Sequence, residues 1–231
     1  MRYRLITFST LLFFAVLSSC HDDNVSFYPK TYYSRSFEDG QMLLVTKGNE
    51  IKDTTKIRSF CDFFNSVFSD IYSSWTNVSL DHNINCFDKF NFKLKMLSTS
   101  KAIMISDTDS VTLTVERKDN VLYFFSNDTV KTYYDVSNEV LRYKPLYIKT
   151  YTISYTKVYD HVPCMYAYEI NNEIHFPVIS YINMKHLRGG YFSTSWSEGI
   201  NNSINTDFIK NIGNDCETDT IAFREGTIIF K

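Results

Sequence analysis

The sequence predicts a mainly β protein with one early helix: an antiparallel β-sandwich or partly open barrel with the helix packed against it. Three observations lead there. The 231 residues include seventeen tyrosines and nineteen phenylalanines but only seven glycines, and aromatic side chains fit a pleated, half-buried surface. Nearly everything after Phe87 alternates apolar with polar, the period of a strand with one wet face. One segment alone carries a sustained helical stripe.

That stripe is Ile57, Phe60, Cys61, Phe64, Val67, Phe68 and Ile71, which fall on one face at the spacing of three and four. Asp53 or Thr54 can cap its start, and Ser73-Ser74 is the expected end. Three phenylalanines on one face need a broad apolar partner, for which a sheet is the natural choice. Among the strands, Phe90, Phe92, Leu94 and Met96 form one apolar row. Val111, Leu113 and Val115 form a second, and Tyr151, Ile153 and Tyr155 a third. Val121 to Phe125 is apolar throughout, as in a central or helix-covered strand. Turns are expected at Asp119-Asn120, Asn171-Asn172 and Glu225-Gly226, where Asn and Gly tolerate positive φ. The last of these would make Thr220 to Phe223 and Thr227 to Phe230 a closing hairpin. Between Arg188 and Asn214 the pattern lapses into a Gly- and Asn-rich stretch, read as a long polar connection holding Trp196. Exposed, Trp196 is a candidate ligand contact; buried, it pins the loop.

The first twenty residues have another character. Arg2 and Arg4 precede an apolar run from Leu5 to Leu17, and Leu17-Ser18-Ser19-Cys20 closes it with small residues before a cysteine. The run is short for a membrane span and has the layout of a secretory signal. Leu-Ser-Ser-Cys resembles the lipobox of bacterial lipoproteins. By that resemblance Cys20 carries a thioether diacylglycerol, becomes the mature N-terminus and is acylated again on its amine. Each buried methylene contributes about 0.8 kcal/mol, so two or three chains hold a folded domain on a bilayer. Asp22-Asp23 resembles the surface-export signal of Bacteroidota lipoproteins. The expected organisation is a signal peptide over 1–19, a lipidated cysteine and tether over 20–36, and one β-rich domain over 37–231. The expected place is the bacterial outer membrane, with the periplasmic or outer face left open.

Without the two signal arginines the chain has 22 basic and 26 acidic residues, a formal −4, which argues against a nucleic-acid partner. Cys61, Cys86, Cys164 and Cys216 allow three disulfide connectivities, and at most one bridge is expected. No Cys-x-x-Cys or His-x-x-x-His spacing, phosphate loop or Gly-x-Ser-x-Gly elbow is present, so no metal, cofactor or catalytic residue is expected. Asp-(Ser/Thr) triplets resemble the O-glycosylation sequon of Bacteroidota envelope proteins and mark Thr54, Ser110, Thr129 and Thr220. The same triplet arises wherever Asp in a turn precedes Ser or Thr at an element's start. These readings converge on a non-enzymatic envelope lipoprotein whose partner is a glycan, a peptide or another envelope protein. A lipocalin-like carrier of a small apolar ligand and a hydrolase are the alternatives.

Overall fold

The computed structural model describes residues 28–71, 80, 91–107, 109–132, 139–143, 146–186, 192–200, 202–214 and 216–231. The chain order is β1 (Lys30–Thr46), β2 (Asn49–Ile51), α1 (Thr54–Ile71), β3 (Lys93–Met96), β4 (Lys101–Ile105), β5 (Ser110–Lys118), β6 (Val121–Ser126) and β7 (Val130–Thr132). It continues with β8 (Leu146–Ile153), β9 (Thr156–Val162), β10 (Cys164–Ile170), β11 (Glu173–His186), β12 (Phe192–Ile200), α2 (Thr206–Asn211) and β13 (Thr220–Phe230).

Eight strands run in the order β10-β6-β5-β4-β3-β1-β13-β11, and β11 pairs back onto β10. The sheet is therefore a closed antiparallel barrel, the stricter form of the barrel that alternation predicts. Of the rows the alternation marks, Leu94 and Met96, and Leu113 and Val115, are buried, whereas Val111 is exposed at the start of β5; in the uniformly apolar β6, Leu122 and Phe124 are the buried pair. They meet Ala102, Ala167, Ile174, Phe176, Val178, Ile228 and Phe230 in one apolar cluster. An eight-stranded barrel is just wide enough for side chains to fill, or for one small ligand. Here the side chains occupy it: the Phe176 ring centroid lies 5.3 Å from that of Phe124 and 5.1 Å from that of Phe230.

Strands β1, β11 and β13 are too long for the barrel alone. Their far halves continue as an open sheet in the order β12-β11-β13-β1-β2. Neighbouring strand residues face opposite ways, so each strand here feeds two separate cores. Leu44, Ile182 and Ala222 face α1 and bury its Ile57 and Phe64, each 0 % exposed. Val45, Tyr181, Ile221 and Phe223 face the other way, under Val140, Leu141, Ile204 and Ile212. Asp53 caps α1 as expected, its Oδ1 accepting from the N–H groups of Thr55 (2.9 Å) and Lys56 (3.3 Å). A separate three-stranded sheet, β7-β9-β8, completes the fold.

Four expectations change. The Glu225-Gly226 turn does not form: Thr220–Phe230 is one strand, paired along its length with β1 and β11. Gly226 serves close approach instead, because a Cβ there would lie 2.4 Å from the Phe37 ring. The stretch from 188 to 214 is no plain connection; it contributes strand β12 and helix α2. Strand β1 starts at Lys30, inside the segment read as tether, and Tyr32 enters the barrel core. The row Tyr151, Ile153, Tyr155 breaks at its end, where Ser154 (φ 46°) and Tyr155 (φ 68°) form the turn between β8 and β9. The Asn171-Asn172 turn forms with both φ values positive, 52° and 63°.

Candidate functional site

Two segments, 139–143 and 202–206, cross the outside of the barrel wall side by side. Leu141 and Ile204 form an isolated bridge, Arg142 N–H donates to Ser203 O (2.9 Å), and Asn205 N–H donates to Val140 O (2.8 Å). Asn202 locks the pair. Its buried carboxamide accepts from Tyr143 N–H (3.1 Å) and Ser203 N–H (2.9 Å), and donates to Tyr143 O (2.9 Å). Glu225 on β13 accepts from Ile204 N–H at 2.7 Å.

This clamp seats an aromatic patch on the outer face of β6 and β10. Tyr143 stacks on Tyr166 at 4.3 Å, Tyr123 meets Tyr166 edge-on at 5.4 Å, and the Tyr143 hydroxyl hydrogen-bonds that of Tyr168. Burial, then the bond to Tyr168, pushes the Tyr143 phenol above its ordinary range; burial does the same to Tyr166. Beside the patch lies a groove of about 500 Å³. Glu38, Asp39, Arg142, Tyr168, His175 and Glu225 are among its walls. His175 Nε2 lies 3.3 Å from Glu173, and Lys231 Nζ lies 3.0 Å from the same carboxylate. The bond from Lys231 is the main reason Glu173 titrates below the usual carboxylate range. Carboxylates, a guanidinium, an imidazole and a phenol thus share one concave surface. Ile170, Pro177 and Ile204 add apolar wall to the same groove.

A second constellation sits at the far end of the extended sheet. His186 closes β11, and Asp219 directly precedes β13. His186 N–H donates to Asp219 Oδ1 at 2.7 Å, and its Nδ1 lies 3.8 Å from the same oxygen. Asp219 N–H closes a turn onto Cys216 O at 3.0 Å, bringing the thiol alongside. One donor atom from each of His186, Cys216 and Asp219 lies within 4.8 Å of the others. Sequence spacing gives no sign of it, because thirty residues separate the histidine from the cysteine.

The residues marked from sequence are scattered. Cys20 and Cys86 lie outside the described residues, and among the described residues Cys61, Cys164 and Cys216 are not bridged to one another. Trp196 lies in β12, where its backbone pairs with Ile182 of β11, and its side chain lies outside the described residues. Thr54, Ser110 and Thr129 are exposed. Thr220 is buried, its hydroxyl engaged by Thr218 O and the Thr46 hydroxyl, each at 3.0 Å, so the folded chain shields it from modification. Ser110 and Thr220 open strands and Thr54 opens α1, as the turn explanation of the triplets requires. Among the described residues no helix is long and apolar enough to cross a membrane. The chain matches no protein-family model, no curated protein and no solved structure.

Proposed function

We propose that this chain is a non-enzymatic binding module of the bacterial cell envelope, held to a membrane by lipid on Cys20, and that its outer groove takes a glycan. The groove carries the reading: a filled barrel leaves its outer wall as the binding surface, and there acidic, basic and aromatic groups stand together. Carboxylates and Arg142 supply directional bonds to sugar hydroxyls, while the Tyr168 ring offers an apolar edge for C–H faces. The anchor rests on the lipobox-like Leu17-Ser18-Ser19-Cys20.

Two measurements test the parts separately. Palmitate labelling of the wild type against Cys20→Ala should be lost in the variant; equal labelling refutes the anchor. An intact mass of the same material also reads any glycan on Thr54, Ser110 or Thr129. For the groove, oligosaccharides released from the producing cell's own envelope are titrated calorimetrically. Arg142→Ala and Tyr168→Ala should each weaken binding about tenfold. Unchanged affinity in both removes the groove as the site. The lipocalin-like carrier stays as the second reading because the closed eight-stranded barrel is the frame it needs, although it also requires that a ligand displace part of the packed interior.

A further inference from the structure

We propose that His186, Cys216 and Asp219 bind one zinc ion. The argument starts from register. Strands β11 and β13 stay paired to Met184↔Thr220, so His186, two residues on, stands against the residues that precede Thr220. The bond from His186 N–H to Asp219 Oδ1 fixes that juxtaposition, and the Cys216–Asp219 turn folds the thiol onto the same spot. The end of β11 and the turn before β13 therefore deliver an imidazole, a thiol and a carboxylate to one point.

The donor chemistry selects the ion. Mixed nitrogen and sulfur ligation excludes calcium and magnesium, which take oxygen, and suits a borderline ion such as Zn²⁺. Zinc bonds of ~2.0–2.3 Å in a tetrahedron put ligand atoms roughly 3.3–3.8 Å apart. His186 and Asp219 already stand at 3.8 Å, and the widest separation in the set is within 4.8 Å. Closing it takes about 1 Å at Cys216, which sits in a surface turn; its thiol lies 3.0 Å from the Thr218 hydroxyl, a contact the metal would replace. Ionisation of the thiol on binding releases one proton to solvent.

Burial adds an independent reason. The Asp219 side chain is only 4 % exposed, and a carboxylate that deep is stabilised by a cation beside it. Asp219 also lines a second groove, of about 340 Å³, whose walls include Glu139, Lys185, Asn205, Asp207 and Asn211. Three protein donors leave one position of a tetrahedral ion for water, the pattern of an exchangeable site. The site lies apart from the glycan groove and does not depend on it.

The test uses the full mature chain, reduced and stripped with chelator, titrated with Zn²⁺ against a chromophoric competitor. Native mass spectrometry should find one zinc per chain. Cobalt in place of zinc should give a thiolate-to-metal charge-transfer band that Cys216→Ser abolishes. His186→Gln and Cys216→Ser should each weaken zinc at least tenfold. Zinc should raise the melting temperature of the wild type and not of either variant. Both variants leave the Asp219 carboxylate and its bond to the His186 backbone in place, and matching circular dichroism shows that they fold. No zinc uptake by the wild type, or equal affinity in both folded variants, overturns the proposal.

Discussion

Replacing Phe176 by alanine separates a filled barrel from a carrier. The ring is 2 % exposed and sits between Phe124 and Phe230 at the barrel centre. Its removal forfeits about 2 kcal/mol of transfer free energy. It also leaves a void of about 100 Å³, which at ~24 cal/mol per Å³ adds roughly 2 kcal/mol if the walls stay put. Two lost ring contacts add up to about 1 kcal/mol each, and partial collapse of the walls subtracts a similar amount. The expected cost is therefore about 4 kcal/mol, read as a fall in the urea midpoint at unchanged slope. The variant should also gain a dry cavity, so xenon should stabilise Phe176→Ala and leave the wild type unmoved. Two results together refute the reasoning: a cost below about 1.5 kcal/mol, and stoichiometric uptake of an apolar probe by the wild type.

Three further outcomes are expected. Burial pushes the Cys164 thiol up to about 11, so at pH 8 it should react with iodoacetamide roughly 100-fold more slowly than a free cysteine. The folded chain then holds that proton more tightly than the unfolded chain does. Stability should accordingly fall as pH rises from about 9 to 11, and Cys164→Ala should flatten that fall in urea titrations. Asn202→Ala removes three hydrogen bonds from a buried clamp and should cost about 2–3 kcal/mol. Near-ultraviolet dichroism should report loss of the Tyr143–Tyr166 stack in that variant, and an unchanged spectrum would show the clamp to be dispensable. The β8–β9 turn places a serine and a fully exposed tyrosine at positive φ. Ser154→Asn with Tyr155→Gly should therefore raise stability by about 1–2 kcal/mol in thermal melts.

The local choices were legible and the closure was not. Helix α1 announced itself because seven apolar residues share one face and Asp53 stands at its start. The inward rows of β3 and β5 are equally plain, because one-sided burial writes a period of two into the sequence, whereas the uniformly apolar β6 does not show which of its residues face inward. Pairing of β10 with β11, which closes the barrel, rests on the short Asn171-Asn172 turn; sequence shows the turn but not that β11 is also the strand that meets β13. Gly226 misled because glycine has two uses. It permits a turn, and it permits a ring to lie on the backbone; only Phe37 above it shows which applies. Segment 188–214 looked irregular because strand β12 carries serines where a half-buried strand usually carries apolar residues. The His186, Cys216 and Asp219 donors were invisible for a different reason: no linear spacing encodes a juxtaposition made by strand register.

Both sites depend on the same two strands. The near half of β11 supplies His175 and Pro177 to the outer groove, and its far end supplies His186 to the donor set. Likewise β13 gives Glu225 to the groove, and Asp219 stands at its other end. Segment 202–212 lies across the space between. Ser203, Ile204 and Thr206 wall one groove, and Asn205, Asp207 and Asn211 wall the other. It is held by Glu225 at Ile204 and by the Asn205 carboxamide, which caps α2 and donates to Glu139 O at 3.0 Å. A six-residue helix has little stability of its own. Its place is therefore set by those side-chain bonds and by the buried Ile212, and the shape of both grooves follows from them. The two proposed surfaces thus lie where a short, externally pinned segment meets strands long enough to leave the barrel, and the packed apolar interior holds those strands in register.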